Sequence, residues 1–233
     1  MDGHRKLRAG FLLFPRLTQL DFTGPYEVLA RVPELEIFTI AERAGPVRTE
    51  FGLTLIAEHD FQSTPQLDII CVPGGPGALE VADHTDVIAF LQTQARGAQW
   101  LTSVCTGSLL LGAAGLLQGY RATTHWLSLD LLPLVGAIPV RERVVQDRNR
   151  ITGGGVTAGI DFALVLVAEL FGRRRAESVE LMLEYNPAPP FASGDPAIAD
   201  PSLVQEVRDA RRDLQAQRRA FLASLNLDRR DAR

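Results

Sequence analysis

The chain has 233 residues, 46% of them hydrophobic and 22% charged, with a formal net charge of −4 at pH 7. That composition is ordinary for a soluble globular protein, and it gives no electrostatic case for a nucleic-acid partner or an anionic membrane. Two cysteines, Cys71 and Cys105, exclude a disulfide framework and a Cys-rich zinc motif, and they suit a reducing cytoplasm.

The polar start Met1-Asp2-Gly3-His4-Arg5-Lys6 runs into an apolar stretch over residues 7–14. That stretch is too short for a secretion signal and lacks a small-residue cleavage site, and no segment is apolar for long enough to span a bilayer. Residues 8–14 read as a first strand, ended by Pro15. Asp21 or Thr23 is then placed to cap a helix, with Pro25 in its first turn. On this reading Asp21 lies in the loop at the C-terminal end of the first strand, where open parallel sheets bind ligands. Plain helix capping is the other reading of the same residue.

Residues 35–40 read as a second strand. Residues 47–50 and 53–57 alternate around Phe51-Gly52, which predicts a small hairpin. Residues 67–72 are a buried strand that ends in Pro73-Gly74-Gly75-Pro76-Gly77. Glycines there let the backbone approach a ligand and present bare N–H groups, although an ordinary turn fits the composition equally well. The Lys-Ser/Thr of a phosphate loop is missing. Residues 85–96 have helical spacing.

Residues 100–104 are a short buried strand and residues 107–114 a small-residue helix, with no proline or polar cluster between them. Cys105 must therefore sit on a sharp strand-to-helix turn, the logic of a nucleophile elbow. Gly107 suits the turn, since a larger side chain would meet the strand below. A thiol at a helix N-terminus faces unpaired N–H groups and the positive end of the dipole, and both favour the nucleophilic thiolate. Taken alone, the stretch leaves a second reading open, that Cys105 is a small buried hydrophobe.

Residues 115–119 close this helix, and residues 121–126 form a short strand leading into residues 127–132. Residues 140–146 and 150–152 flank the turn Asp147-Arg148-Asn149. The run Gly153-Gly154-Gly155 precedes a mostly apolar helix over 157–171, and residues 173–183 form an amphipathic helix. Residues 186–201 hold five prolines in an extended loop, too long for a simple connector and placed to wrap the body or touch a partner subunit. Residues 204–225 read as one long, charged, packed helix, and residues 228–233 as a fraying tail. Strands alternating with helices predict a mostly parallel sheet covered on both faces.

With these residues in view, the chain resembles the ThiJ/PfpI superfamily. Asp21, Val72-Pro73-Gly74-Gly75, Ser103-Val104-Cys105-Thr106-Gly107, Thr123-Thr124-His125-Trp126 and the run Gly153-Gly154-Gly155-Val156-Thr157-Ala158-Gly159-Ile160-Asp161 carry the likeness in order. Within the superfamily it is most similar to the isonitrile (isocyanide) hydratases, through residues 14–21, Cys105-Thr106-Gly107 and Asn186-Pro187-Ala188-Pro189-Pro190-Phe191. The same core occurs as the sensor half of AraC-type regulators, but this chain is expected to end too soon for their DNA-binding helices. Protease-like members carry histidine directly after the cysteine. Thr106 stands there instead, so no adjacent Cys–His dyad exists. His125 reads as a structural histidine after a strand.

The resemblance implies an α/β flavodoxin-like three-layer sandwich with a cysteine elbow, one domain over residues 1–233 with a loop and helix extension at 186–233. It implies hydration of an isonitrile to an N-substituted formamide through a Cys105 thioimidate, with Asp21 as acid and then base. The backbone N–H groups of Gly75 and Thr106 are expected to stabilise charge near the sulfur, and the Thr106 hydroxyl to orient water or Asp21. An apolar substrate implies an apolar pocket, with Trp126, Val156 and Ile160 as candidates. No metal or cofactor is implied, and a cytoplasmic homodimer is. A glyoxalase or deglycase acting on 2-oxoaldehydes, and a non-enzymatic redox sensor or binding module, are the alternatives on the same fold.

Overall fold

The structure, a computed structural model, describes residues 5–225. The start of the polar leader and the expected frayed tail lie outside the described residues.

Apolar runs too short for helices make the central sheet. It consists of β1 (Leu7–Leu12), β2 (Leu35–Ile40), β5 (Ile69–Val72), β6 (Trp100–Val104), β9 (Val144–Asp147) and β10 (Arg150–Gly153), in the order β2-β1-β5-β6-β10-β9. All neighbours run parallel except β10 and β9, which form an antiparallel hairpin at one edge. The central strands are buried along almost their whole length, as a sheet covered on both faces requires. The predicted hairpin is present as β3 (Gly45–Arg48) and β4 (Thr54–Ala57). A two-residue pair, β7 (Arg121–Ala122) with β8 (Ile138–Pro139), brackets a 3₁₀ helix at Trp126–Val135.

One helical group is α1 (Gln19–Leu29), α5 (Ala158–Phe171) and α6 (Arg173–Met182). The other contains α2 (Gly77–Val81), α4 (Gly107–Ala113), the 3₁₀ helix and the terminal α8 (Arg212–Ser224). The remaining helices are α3 (Thr85–Ala95) and α7 (Pro201–Ala210). This is the expected three-layer arrangement, with three local corrections. The α1 helix starts two residues before Asp21, so that residue is in its first turn rather than in a loop, and Pro25 is in the helix interior. Pro76 opens the short, unforeseen α2. The predicted helix over 204–225 is two helices, broken at Arg211, whose φ of −114° and ψ of 6° leave the helical region.

Strand register sets up the site. Val72 pairs with Ser103, and Val104 with Gly153, so β5, β6 and β10 end level with one another. The segments that follow them therefore gather at one carboxyl edge, with the first turn of α1 beside them.

Candidate active site

Cys105 lies in the predicted turn between β6 and α4. Its φ is +52°, in the left-handed region that non-glycine residues rarely occupy. Hydrogen bonds hold it there. The Cys105 N–H donates to the Gly153 carbonyl at 3.0 Å, and the Cys105 carbonyl accepts from the hydroxyls of Thr124 at 2.8 Å and Ser108 at 3.1 Å. A Cβ at Gly107 would overlap the carbonyl oxygens of Val72 and Pro73, so α4 can follow the turn this closely only through glycine.

Asp21 is 1% exposed. Its Oδ2 accepts from the Gly74 N–H at 2.9 Å, while Oδ1 is buried with no partner among the described residues. Burial pushes the carboxyl pKa up to about 7, and the hydrogen bonds from Gly74 and from the Cys105 side chain oppose this only in part. Cys105 is 6% exposed. Burial and the neighbouring Asp21 push its thiol pKa well above the usual range, and the Thr106 N–H and the Arg218 charge recover only part of the shift. The helix N-terminus favours the thiolate, and desolvation opposes it more strongly here. Two acids in contact and this dry hold at most one negative charge between them near neutral pH.

Gly75 has a φ of +128°. Its N–H, expected to stabilise charge beside the sulfur, donates instead to Thr106 Oγ1 at 3.0 Å, and that hydroxyl donates back to the Gly75 carbonyl at 3.2 Å. The hydroxyl is thus engaged with the glycine loop, and both the Thr106 N–H and, to a smaller extent, this hydroxyl act on the sulfur.

The candidate pocket residues lie further out. Trp126 opens the 3₁₀ helix and lines a groove of about 700 Å³ with residues of α7 and α8, and none of Cys105, Asp21 and Thr106 lines that groove. Ile160 packs over Gly24 of α1. Val156 is half-buried in the turn after β10. His125 Nδ1 accepts from the Leu127 N–H at 3.4 Å as the 3₁₀ cap, and burial lowers its pKa to about 4.

Arg218 of α8 was missed from sequence. It is 8% exposed and reaches the site from the far end of the chain. Nη1 donates to Ser128 Oγ at 3.3 Å and Nη2 to the Gly75 carbonyl at 3.5 Å, while Nε is buried without a partner. The signal was available in the inward positions of α8, where Leu214, Arg218, Phe221, Leu222 and Leu225 follow helical spacing and the arginine interrupts an apolar stripe.

A thiol on a strained elbow, a buried carboxyl against it, and a glycine loop that fixes the carboxyl define a cysteine-dependent site at the carboxyl edge of a doubly wound sheet. The chain belongs to the DJ-1/PfpI family, whose model matches residues 7–169. It is 54% identical over 202 residues to the isonitrile hydratase of Pseudomonas putida, covering 87% of this chain and 89% of that protein. It is 32% identical to the HTH-type transcriptional regulator GbdR of Pseudomonas aeruginosa, where the match covers 76% of this chain but only 50% of the regulator. Among solved structures, a THiJ/PfpI family protein from Pseudomonas syringae superposes with a TM-score of 0.91 at 39% identity, covering 93% of this chain and 90% of that one.

Proposed function

We propose that this protein is an isonitrile hydratase, converting R–N≡C and water to the formamide R–NH–CHO. The observation that carries the reading is the buried Cys105–Asp21 pair, in which the Cys105 side chain hydrogen-bonds to a carboxyl whose pKa of about 7 lets it hold and release a proton near neutral pH. The 54% identity to the Pseudomonas putida enzyme supports the substrate.

The thiol proton moves to Asp21, leaving sulfur anionic. Sulfur attacks the terminal isonitrile carbon and forms the S–C bond, while the Asp21 proton passes to that same carbon. The product is the thioimidate R–N=CH–S–Cys105, beside an Asp21 carboxylate. Water then adds to this carbon. One water proton ends on nitrogen and the other returns to Asp21 as the C–S bond breaks. The formamide leaves, and sulfur and carboxyl are restored. The unpartnered Asp21 Oδ1 is the acceptor available to that water.

The same reading places the enzyme in a reducing cytoplasm, supported by its two free cysteines. It also pairs the chain with a second copy, supported by the exposed apolar side chains Leu181, Met182, Phe191 and Ile198. Among the described residues no helix is long and apolar enough to cross a membrane.

The test is turnover of cyclohexyl isocyanide, read as formamide by mass spectrometry. Wild type should form it, Cys105→Ala should form none, and Asp21→Asn should lose at least about a hundredfold in rate. Wild type without formamide overturns the assignment. Unchanged turnover in Cys105→Ala overturns the covalent route.

A further inference from the structure

Arg218 is a buried guanidinium without an ion pair among the described residues. Its partners are one hydroxyl and one carbonyl, and its Nε has none. Buried charges are normally paired, because taking one out of water costs several kcal/mol. An arginine kept in this condition needs an anion, and the nearby site can generate one. The groups that act on the guanidinium are Cys105 from the elbow, Glu50 from the turn of the β3–β4 hairpin, and Arg211 from the start of its own helix, with Cys105 the strongest of the attractive two.

We infer that Arg218 is a further residue of the active site, a guanidinium brought in on the last helix to hold the negative charge of the Cys105 sulfur as it attacks and as it leaves. The inference rests on the covalent reading above. Gly75 links the two halves of the site, since its carbonyl accepts from both Arg218 and the Thr106 hydroxyl. The guanidinium is thereby positioned against the same loop that fixes Asp21. Ser128 continues the brace, donating to Gln215 Oε1 at 3.0 Å, one helical turn back along α8. The family match ends at residue 169, so this cation lies outside the matched core. It offsets part of the desolvation that holds the thiol neutral.

The experiment measures the thiol directly and does not depend on isonitrile turnover. Cys105 is alkylated with iodoacetamide between pH 5 and 10, and the modified peptide is counted by mass spectrometry so that Cys71 does not interfere. Wild type is compared with Arg218→Gln, Arg218→Met and Arg218→Lys. Asp21, Arg218, Glu50, His125 and Arg211 are the charged or titratable groups around the sulfur and the guanidinium. All but Arg218 are common to the four proteins, so the difference between profiles reports on the guanidinium. The neutral variants should slow alkylation about tenfold at every pH in this range, and Arg218→Lys should restore most of the rate. If wild type turns over isonitrile, Arg218→Gln should also lower kcat with KM little changed. Alkylation rates in folded neutral variants that match wild type overturn the inference. So does the loss of folding in both neutral variants while Arg218→Lys folds, which makes the residue structural. Slower alkylation in the neutral variants, with a wild type that forms no formamide, keeps the charge role and removes only the substrate.

Discussion

Asp21 has almost no contact with water, and its carboxyl pKa of about 7 couples the site to the stability of the whole chain. In the folded state the proton stays on until about pH 7, while the unfolded chain loses it near pH 4. The stability that comes from this difference is complete below pH 4 and is lost as the pH rises to 7. It amounts to at most about 4 kcal/mol. His125 acts in the opposite sense, because its depressed pKa gives stability that is lost as the pH falls from 6.5 towards 4. The comparison of wild type with Asp21→Asn isolates the carboxyl. The variant should lack the loss between pH 4 and 7, so its thermal midpoint should rise relative to wild type across that window. Parallel curves would show that Asp21 titrates normally. Much at this scale was legible in the sequence. The apolar run to Val104, the small residues after it and Gly107 forced the Cys105 elbow. The ionisation of the sulfur was not legible, because desolvation depends on how tightly α1 and the Gly74-Gly75 loop close over it.

Elements carry the site through their ends, and one of them arrives from an unexpected direction. The α8 helix packs against the 3₁₀ helix, is tied to it by the Arg218–Ser128–Gln215 brace and buries Leu222 fully. Leu222→Ala should cost about 2–4 kcal/mol in chemical denaturation, in line with other large-to-small core changes. It should also lower the alkylation rate of Cys105 by loosening Arg218. A stability loss under 0.5 kcal/mol would show that α8 is not packed as described. The strands β2 and β6 and the β3–β4 hairpin were legible because short apolar or alternating runs between turn residues have few other uses. The start of α1 was not. Thr18 occupies the cap position, but its hydroxyl goes to Glu50 rather than to the helix, and Asp21 and Thr23 offered competing cap residues further on. The break at Arg211 was hidden too, since neither proline nor glycine marks it.

Across the whole molecule, sheet order and register decide what meets at the carboxyl edge, and the alternation of strands and helices made that much predictable. What alternation does not predict is how the chain uses residues beyond the sheet. After α6 it runs through a stretch without regular structure to the start of α7 at Pro201, exposing Phe191 and Ile198 on the way. A protease added to the native protein should cut first within this stretch. The cut divides the molecule unequally. The larger piece keeps the sulfur and the carboxyl, and the smaller keeps the guanidinium. Leu222 and Arg218 remain buried in the other piece, so the two should co-elute on size exclusion in native buffer and separate in urea. Fragments that part in native buffer would show that the covalent link alone holds α8. Rejoined after the urea is removed, they would make a split protein in which the guanidinium of one piece again faces the thiol of the other.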